Sequence, residues 1–137
     1  SGLPMVVVTG GEPCMYNLEP LTTALRKEGL LIHLETSGAH PILGDFDWIT
    51  LSPKKFKPCL PESYLKANEL KVVVVNKHDL KWASEQAVNV KEDTLLYLQP
   101  EWDRKDKVHP FLMDYLGSKE GSVWSLSTQT HKYLGIP

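Results

Sequence analysis

The stretch Met5-Val6-Val7-Val8-Thr9-Gly10-Gly11-Glu12-Pro13 decides the fold of this chain. Its first four residues are an apolar, mostly β-branched run, which is typical of a buried parallel strand. The two glycines that follow allow a sharp turn and a close approach of the main chain to a ligand. Pro13 fixes the turn, and Glu12 is left as an acceptor at the strand exit. Parallel α/β folds bind ligands at such exits, so the stretch predicts a ligand site. The alternative is an ordinary strand-to-helix turn with a solvated Glu12.

Composition limits the classes of protein and partner. The 137 residues, 42% of them hydrophobic, are enough for one domain, 1–137, with its own core. The 15 basic and 17 acidic residues are well mixed, with a net charge of −2, so we expect a small ligand and no nucleic acid or membrane partner. No apolar run reaches membrane-spanning length and no secretion signal opens the chain, which predicts a cytoplasmic protein. Cys14 and Cys59 are far apart and predict neither a disulfide framework nor a closed metal site.

Short apolar runs alternate with helical patterns along the chain. This alternation is the signature of βα units and predicts an α/β fold with a parallel sheet. The predicted strands are residues 5–8, 30–35, 48–51, 70–75, 94–98 and 123–127. The predicted helices cover residues 18–28, a segment capped by Asp79 that includes Leu80, Ala83 and Ala87, and residues 110–116.

Polar, glycine and proline residues stand at four predicted strand exits. These exits are Thr9-Gly10-Gly11-Glu12, Glu35-Thr36-Ser37-Gly38, Ser52-Pro53-Lys54 and Gln99-Pro100. The carboxyl ends of parallel strands meet at one edge of a sheet, so the four exits predict a shared pocket. For Ser37 alone, a simple turn-capping role is the competing interpretation.

The C-terminus carries a second polar cluster, Gln129-Thr130-His131-Lys132. An amide, a hydroxyl, an imidazole and an ammonium can recognise the edge of a polar heterocycle or its carboxylate. The alternative is a frayed polar tail, but Tyr133, Leu134 and Ile136 offer an apolar anchor against it.

Taken in order, six segments resemble the 7-carboxy-7-deazaguanine synthase branch of the radical S-adenosylmethionine superfamily. They are Thr9-Gly10-Gly11-Glu12-Pro13, Glu35-Thr36-Ser37-Gly38, Ser52-Pro53-Lys54, Lys71-Val72-Val73, Leu98-Gln99-Pro100 and Ser127-Thr128-Gln129-Thr130-His131-Lys132. The Gly-Gly-Glu-Pro element alone indicates only the superfamily, whereas the ending points to this branch. The resemblance covers the chain but only the later two-thirds of such an enzyme. It implies a partial parallel β/α barrel without its first βα unit.

One departure from the family concerns its cofactor. The resemblance implies a [4Fe–4S] cluster on three cysteines of a CxxxCxxC-type loop, and Cys14 and Cys59 cannot replace that loop by number or spacing. The loop with the expected magnesium ligand and the early substrate-binding residues also have no counterpart in the sequence. We therefore expect a truncated product or fragment that does not form the 5′-deoxyadenosyl radical by itself.

The resemblance implies roles for particular residues, all of them in binding. Gly10, Gly11 and Glu12 would bind the methionyl end of S-adenosylmethionine, with Glu12 accepting from the amino group. The residues implied for the nucleoside part are Ser52, Pro53, Lys54, Gln99, Pro100, Glu101 and Trp102. Thr9, His131 and the terminal carboxylate of Pro137 would face the pterin substrate, 6-carboxy-5,6,7,8-tetrahydropterin. No residue of the chain is assigned a catalytic or metal-binding role.

Loss of the first βα unit predicts an assembly. Residues 5–8 would present an apolar, uncharged strand edge, and such edges pair with other chains, so we expect a homodimer. Two other functions stay open. One is an activating enzyme for a glycyl-radical enzyme, which would share Gly10-Gly11-Glu12-Pro13 but not the ending. The other is a cluster-free domain that binds a nucleotide-like ligand.

Overall fold

Strands and helices alternate along the chain, as the apolar runs predict. The computed structural model describes residues 4–135, except for the side chains at positions 130 and 131. The strands are β1 (Met5–Val8), β2 (Leu31–Thr36), β3 (Trp48–Leu51), β4 (Glu69–Val74), β5 (Leu95–Pro100) and β6 (Ser125–Leu126). The helices are α1 (Glu19–Lys27), α2 (Pro61–Lys66), α3 (His78–Ala87), α4 (Lys105–Leu116) and α5 (Thr130–Tyr133). None of the helices in the described part is long and apolar enough to cross a membrane.

The first of two compact units comprises the chain up to Leu70 together with residues 89–94. In it β1, β2 and β3 lie side by side in parallel, and β3 pairs with the first two residues of β4. Every second residue of β2 is buried, because successive side chains of a strand point to opposite faces. Its core cluster consists of Cys14, Leu18, Leu34, Ile42 and Ile49, with Val8 and Phe46 packed against it.

The second unit comprises residues 71–88 and 95–137, of which the structure describes those up to 135. It holds the rest of β4, then β5 and β6, and the β5–β6 pair is parallel with Leu98 opposite Leu126. Val72, Val74 and Leu98 are fully buried, and so are Val108 and Leu112 of α4. The valine run of β4 is therefore a core strand, as its composition predicts.

The parallel α/β class is confirmed, and β1 and β3 have the predicted bounds. The predicted burial of β1 is wrong, since Met5 and Val7 are 51% and 50% exposed on this edge strand. Three other predicted boundaries are wrong by two residues or more. Residue 123 ends a 3-10 turn, so β6 begins at Ser125. Gln99 and Pro100 are buried residues inside β5 rather than beyond its exit, because the main chain still pairs there: the Glu101 N–H donates to the Val74 carbonyl of β4 at 2.9 Å. Helix α4 begins at Lys105 and contains Pro110, whose missing N–H costs one helical hydrogen bond.

Candidate functional site

The exits of β1, β2 and β3 meet in one cleft of about 100 Å³ in the first unit. Because the three strands are parallel and adjacent, their carboxyl ends lie at the same edge of the sheet. The lining residues are Thr9, Gly11, Glu12, Glu35, Thr36, Ser37, Ser52 and Lys54. The structure thus brings together residues from three of the four strand exits singled out in the sequence.

Gly10 and Gly11 expose bare main chain at the β1 exit. Their φ angles are +87° and +53°, a region that favours glycine, and a Cβ on either would meet no atom within 4 Å. Packing therefore does not explain the two glycines, whereas the backbone conformation of the turn does. Gly11 lines the cleft, which leaves its main chain accessible to a ligand.

Glu12 is a carboxylate of the cleft that accepts four hydrogen bonds. Its Oε2 accepts the backbone N–H of Cys14 at 2.9 Å and the hydroxyl of Thr36 at 2.7 Å. Its Oε1 accepts the backbone N–H of Ser37 at 2.8 Å and the hydroxyl of the same residue at 2.7 Å. The carboxylate therefore joins the exits of β1 and β2, and it also caps the 3-10 turn Pro13–Met15.

The electrostatics of Glu12 favour the charged form. Burial acts to raise its pKa, but the hydrogen bonds from Thr36, Ser37 and Cys14 outweigh burial and lower the pKa below its ordinary value. All four donors are neutral. Glu12 is therefore an ionised carboxylate whose hydrogen-bond partners carry no compensating positive charge.

Gly38, the residue after Ser37, packs closely against its neighbours. Gly38 has φ +77°, and a Cβ there would clash with the Leu51 side chain and lie 3.0 Å from Cys59 Sγ. Its carbonyl accepts the Ser63 hydroxyl at 2.9 Å and the backbone N–H of Leu60 at 2.9 Å. The segment that begins α2 thus fixes the β2 exit, a support that the sequence did not predict because a six-residue helix is too short for a periodic apolar stripe.

The structure adds Thr36 and Ser37 to the candidate functional residues. The sequence offered one signal for them, two hydroxyl side chains directly at a strand exit, but for Ser37 it left open a simple turn. Only the parallel register, with Val8 opposite Leu34, brings the β2 exit to Glu12.

The two cysteines cannot hold a [4Fe–4S] cluster. Such a cluster needs at least three cysteine ligands in this enzyme class, and the chain has two cysteines, which are both free thiols. Burial raises the thiol pKa of Cys14 and of Cys59, so both stay protonated at neutral pH. Within residues 4–135, no group of three or more His, Cys, Asp or Glu side chains is placed to hold a metal ion.

The remaining first-unit candidates border the cleft in different ways. Ser52 is buried, and its backbone N–H donates to the Thr36 carbonyl at 2.8 Å. Pro53 is also buried, and Lys54 is exposed on the cleft rim. Ser52 thus holds the exits of β2 and β3 together, while Lys54 is free to reach a ligand.

The other candidates belong to the second unit. Gln99 Oε1 accepts the Ser127 hydroxyl at 3.3 Å, and the Glu101 carboxylate accepts the backbone N–H of Arg104 at 3.0 Å. The Trp102 ring packs edge-on against Tyr133 at 4.8 Å, with Lys105 Nζ 4.2 Å from the ring centroid. Of the predicted apolar anchor, Tyr133 makes this contact, Leu134 is 68% exposed, and Ile136 lies outside the described residues. The side chain of His131 and all of Pro137 lie outside the described residues, so their roles stay predictions.

A second cavity of about 150 Å³ lies in the first unit, lined by Trp48, Ala67, Asn68, Lys91, Asp93 and Thr94. The polar groups that line it form hydrogen bonds between neighbouring segments of the chain. Asn68 Oδ1 accepts the Ile49 N–H at 2.8 Å, and the Thr94 hydroxyl donates to the Ala67 carbonyl at 3.1 Å. The cleft around Glu12 is the better candidate, because it holds an ionised group without a charged partner among its hydrogen bonds.

Comparison with known proteins gives consistent relatives. A protein of Flavobacterium psychrophilum named 7-carboxy-7-deazaguanine synthase is 48% identical over 132 residues, which cover 96% of this chain and 62% of that protein. A protein of Prochlorococcus marinus with the same name is 38% identical over 160 residues and covers 98% and 69%. The crystal structure of QueE from Escherichia coli superposes with a TM-score of 0.79 and 32% identity, over 91% of this chain and 56% of that one. The chain thus spans about 60% of the length of the curated relatives it matches. No protein-family model matches.

Proposed function

Because this chain belongs to the 7-carboxy-7-deazaguanine synthase family, we propose that it forms the S-adenosylmethionine-binding part of such an enzyme. The reaction proposed for the whole enzyme converts 6-carboxy-5,6,7,8-tetrahydropterin to 7-carboxy-7-deazaguanine, with ring contraction and loss of ammonia. This is a carbon–nitrogen lyase activity on the route to queuosine-type bases, carried out in the cytoplasm. In the whole enzyme this activity would require an iron–sulfur cluster, for which the two cysteines of this chain are too few, and the residues of this chain would bind and position S-adenosylmethionine.

The ionised Glu12 carboxylate carries this proposal. It lies in a cleft whose lining includes a second carboxylate, Glu35, and one ammonium, Lys54. An amino-acid ligand with a primary ammonium and a sulfonium complements such an acidic surface. The main chain of Gly11 beside it leaves room for the ligand's polar end. Ser52, Pro53 and Lys54 are proposed to meet the nucleoside part, and Thr9 the pterin. The roles implied for Gln99, Pro100, Glu101 and Trp102 stay predictions.

Binding to the full 137-residue chain tests the proposal. We expect the wild-type chain to bind S-adenosylmethionine weakly, and Glu12→Gln to weaken this binding at least about tenfold, because it removes the negative charge that complements the ligand's ammonium, and interactions with charged groups contribute about 1.5–3 kcal/mol. Glu92→Gln, on an exposed loop residue, is the matched control and should bind like the wild type. Titration followed by NMR measures affinities in this weak range. Equal affinity of Glu12→Gln and wild type would contradict the proposal.

The two cysteines favour a second candidate function for the isolated chain, that of a cluster-free ligand-binding domain. Both candidates bind S-adenosylmethionine, but only cluster chemistry cleaves it reductively. We expect anaerobic iron–sulfur reconstitution of this chain to yield no 5′-deoxyadenosine. Formation of 5′-deoxyadenosine above a protein-free blank would refute this expectation.

We also propose a homodimer that forms along β1. This strand lies at the end of the strand order, and Met5 and Val7 on it are about half exposed. A charge on an edge strand blocks edge-to-edge pairing, so Val7→Lys should shift the chain to monomer in sedimentation. The exposed Val88→Lys, in the second unit, is the control and should leave the assembly unchanged. A wild-type chain that sediments as a monomer at high concentration would contradict the dimer.

A further inference from the structure

Thr36 and Ser37 both donate a hydroxyl to Glu12, yet they differ in what their oxygens can still accept. Thr36 is 3% exposed, and its Oγ1 already accepts the backbone N–H of Gly38 at 3.2 Å. Ser37 is half-buried and lines the cleft. Within residues 4–135, the bond to Glu12 is the one hydrogen bond of the Ser37 hydroxyl. The oxygen of Ser37 therefore keeps its acceptor capacity on the cleft side.

Glu12 itself has little acceptor capacity left. A carboxylate offers about four lone-pair sites, and Glu12 uses two on each oxygen for Cys14, Thr36 and Ser37. A primary ammonium brings three donors and no acceptor. An ammonium that approaches Glu12 from the cleft thus meets a carboxylate whose lone pairs already accept hydrogen bonds. Beside that carboxylate lies the Ser37 hydroxyl oxygen, which can still accept one.

We propose that Ser37 Oγ binds the amino group of the ligand, and that Glu12 provides the counter-charge through the hydrogen bond it accepts from Ser37. The Ser37 hydroxyl keeps donating to Glu12 Oε1 while its oxygen accepts an N–H from the ammonium. No proton is transferred and no bond of the protein breaks. The Thr36 hydroxyl already donates to Glu12 and accepts from Gly38, so Thr36 only positions Glu12. The inference rests on the proposed function and adds to it a residue that determines specificity for a primary amine.

The test compares S-adenosylmethionine with its desamino analogue, in which hydrogen replaces the amino group. Both are titrated into the full chain, its Ser37→Ala and Ser37→Thr variants, and Thr36→Val. We expect Ser37→Ala to weaken binding of S-adenosylmethionine about tenfold and to leave the desamino analogue within about twofold. Ser37→Thr restores the hydroxyl and should restore the preference. Thr36→Val should weaken binding but retain part of the preference for the amine, because Ser37 Oγ is still present.

The ratio of the two dissociation constants separates recognition from structure, since a variant that only loosens the cleft weakens both ligands alike. Equal weakening by Ser37→Ala, or an unchanged ratio, would overturn the inference. L-methionine and 4-(methylthio)butyrate form a second pair with and without the amine. If the chain prefers methionine over its desamino partner, loses this preference in Ser37→Ala, and does not bind S-adenosylmethionine, the proposed function fails and the role of Ser37 stands. If neither pair shows a preference for the amine, the role of Ser37 fails whether or not S-adenosylmethionine binds.

Discussion

Two carboxylates accept hydrogen bonds at opposite ends of β2, and the protein compensates their negative charges differently. At the start of β2, Asp47 Oδ2 accepts the Ile32 N–H at 2.7 Å and pairs with the Arg26 guanidinium at 2.7 Å. At the end of β2, Glu12 accepts the Ser37 N–H at 2.8 Å, but its hydrogen-bond donors are all neutral. Both carboxylates close a strand, and only Asp47 has its charge matched by the protein. We infer that the unmatched charge of Glu12 is available to a ligand.

The largest expected effect on stability comes from a substitution of Gly38, the residue after Ser37. Gly38→Ala introduces a Cβ that clashes with the Leu51 side chain at a positive φ, so we expect a loss of about 2–4 kcal/mol in the free energy of unfolding. Gly10→Ala has a similar φ but open space around the new Cβ, and should cost only about 1 kcal/mol. Urea unfolding measures both, and a Gly38→Ala variant as stable as Gly10→Ala would show that the close packing behind Ser37 is not needed.

Exchanging each carboxylate for its amide tests the comparison itself. Glu12→Gln places an amide NH₂ against two donors, so we expect a loss of about 1–3 kcal/mol in stability together with the loss of ligand binding described above. Asp47→Asn should lower stability less and leave S-adenosylmethionine binding unchanged, because it lies on an exposed ion pair. Weaker ligand binding in Asp47→Asn than in Glu12→Gln would reverse the roles of the two sites.

Acid should reveal the lowered pKa of Glu12 as a change in stability. The ordinary pKa of this carboxyl is 4.5, and its pKa in the folded protein is lower. The contribution of Glu12 to the free energy of unfolding is therefore complete above pH 4.5 and is lost as the pH falls from 4.5 through the folded-state pKa. The Glu12→Gln variant should lose this part of the acid dependence. Denaturant midpoints between pH 6 and pH 2, measured for wild type and variant, check this, and parallel curves would refute a lowered pKa.

The smallest effect is expected at the ion pair. The Arg26 and Asp47 side chains are 32% and 31% exposed, so salt should screen their attraction in part, whereas the neutral donors of Glu12 should hardly respond. Arg26→Met should therefore lower the unfolding midpoint slightly at low salt and very little at 1 M NaCl. A cost that does not change with salt would mean that Arg26 acts through packing rather than charge.

The sequence predicted most of what local patterns determine. The unbroken valine runs and the Gly-Gly turn identified β1 and the Glu12 exit, and Trp48–Leu51 was bounded correctly by its polar and proline neighbours. Contacts between residues that are distant in sequence could not be predicted from these local patterns. Glu12 and Ser37 are 25 positions apart and meet only through the parallel register.

The amide resonances at the two ends of β2 test the central claim most directly. The backbone N–H groups of Cys14 and Ser37 donate to Glu12, and that of Ile32 donates to Asp47. When S-adenosylmethionine is titrated into the ¹⁵N-labelled chain, we predict large shifts at Cys14 and Ser37, none at Ile32, and smaller shifts with the desamino analogue. Shifts at Ile32 that match those at Ser37, or equal shifts with both ligands, would contradict the claim that Glu12 is the charge reserved for the amino group.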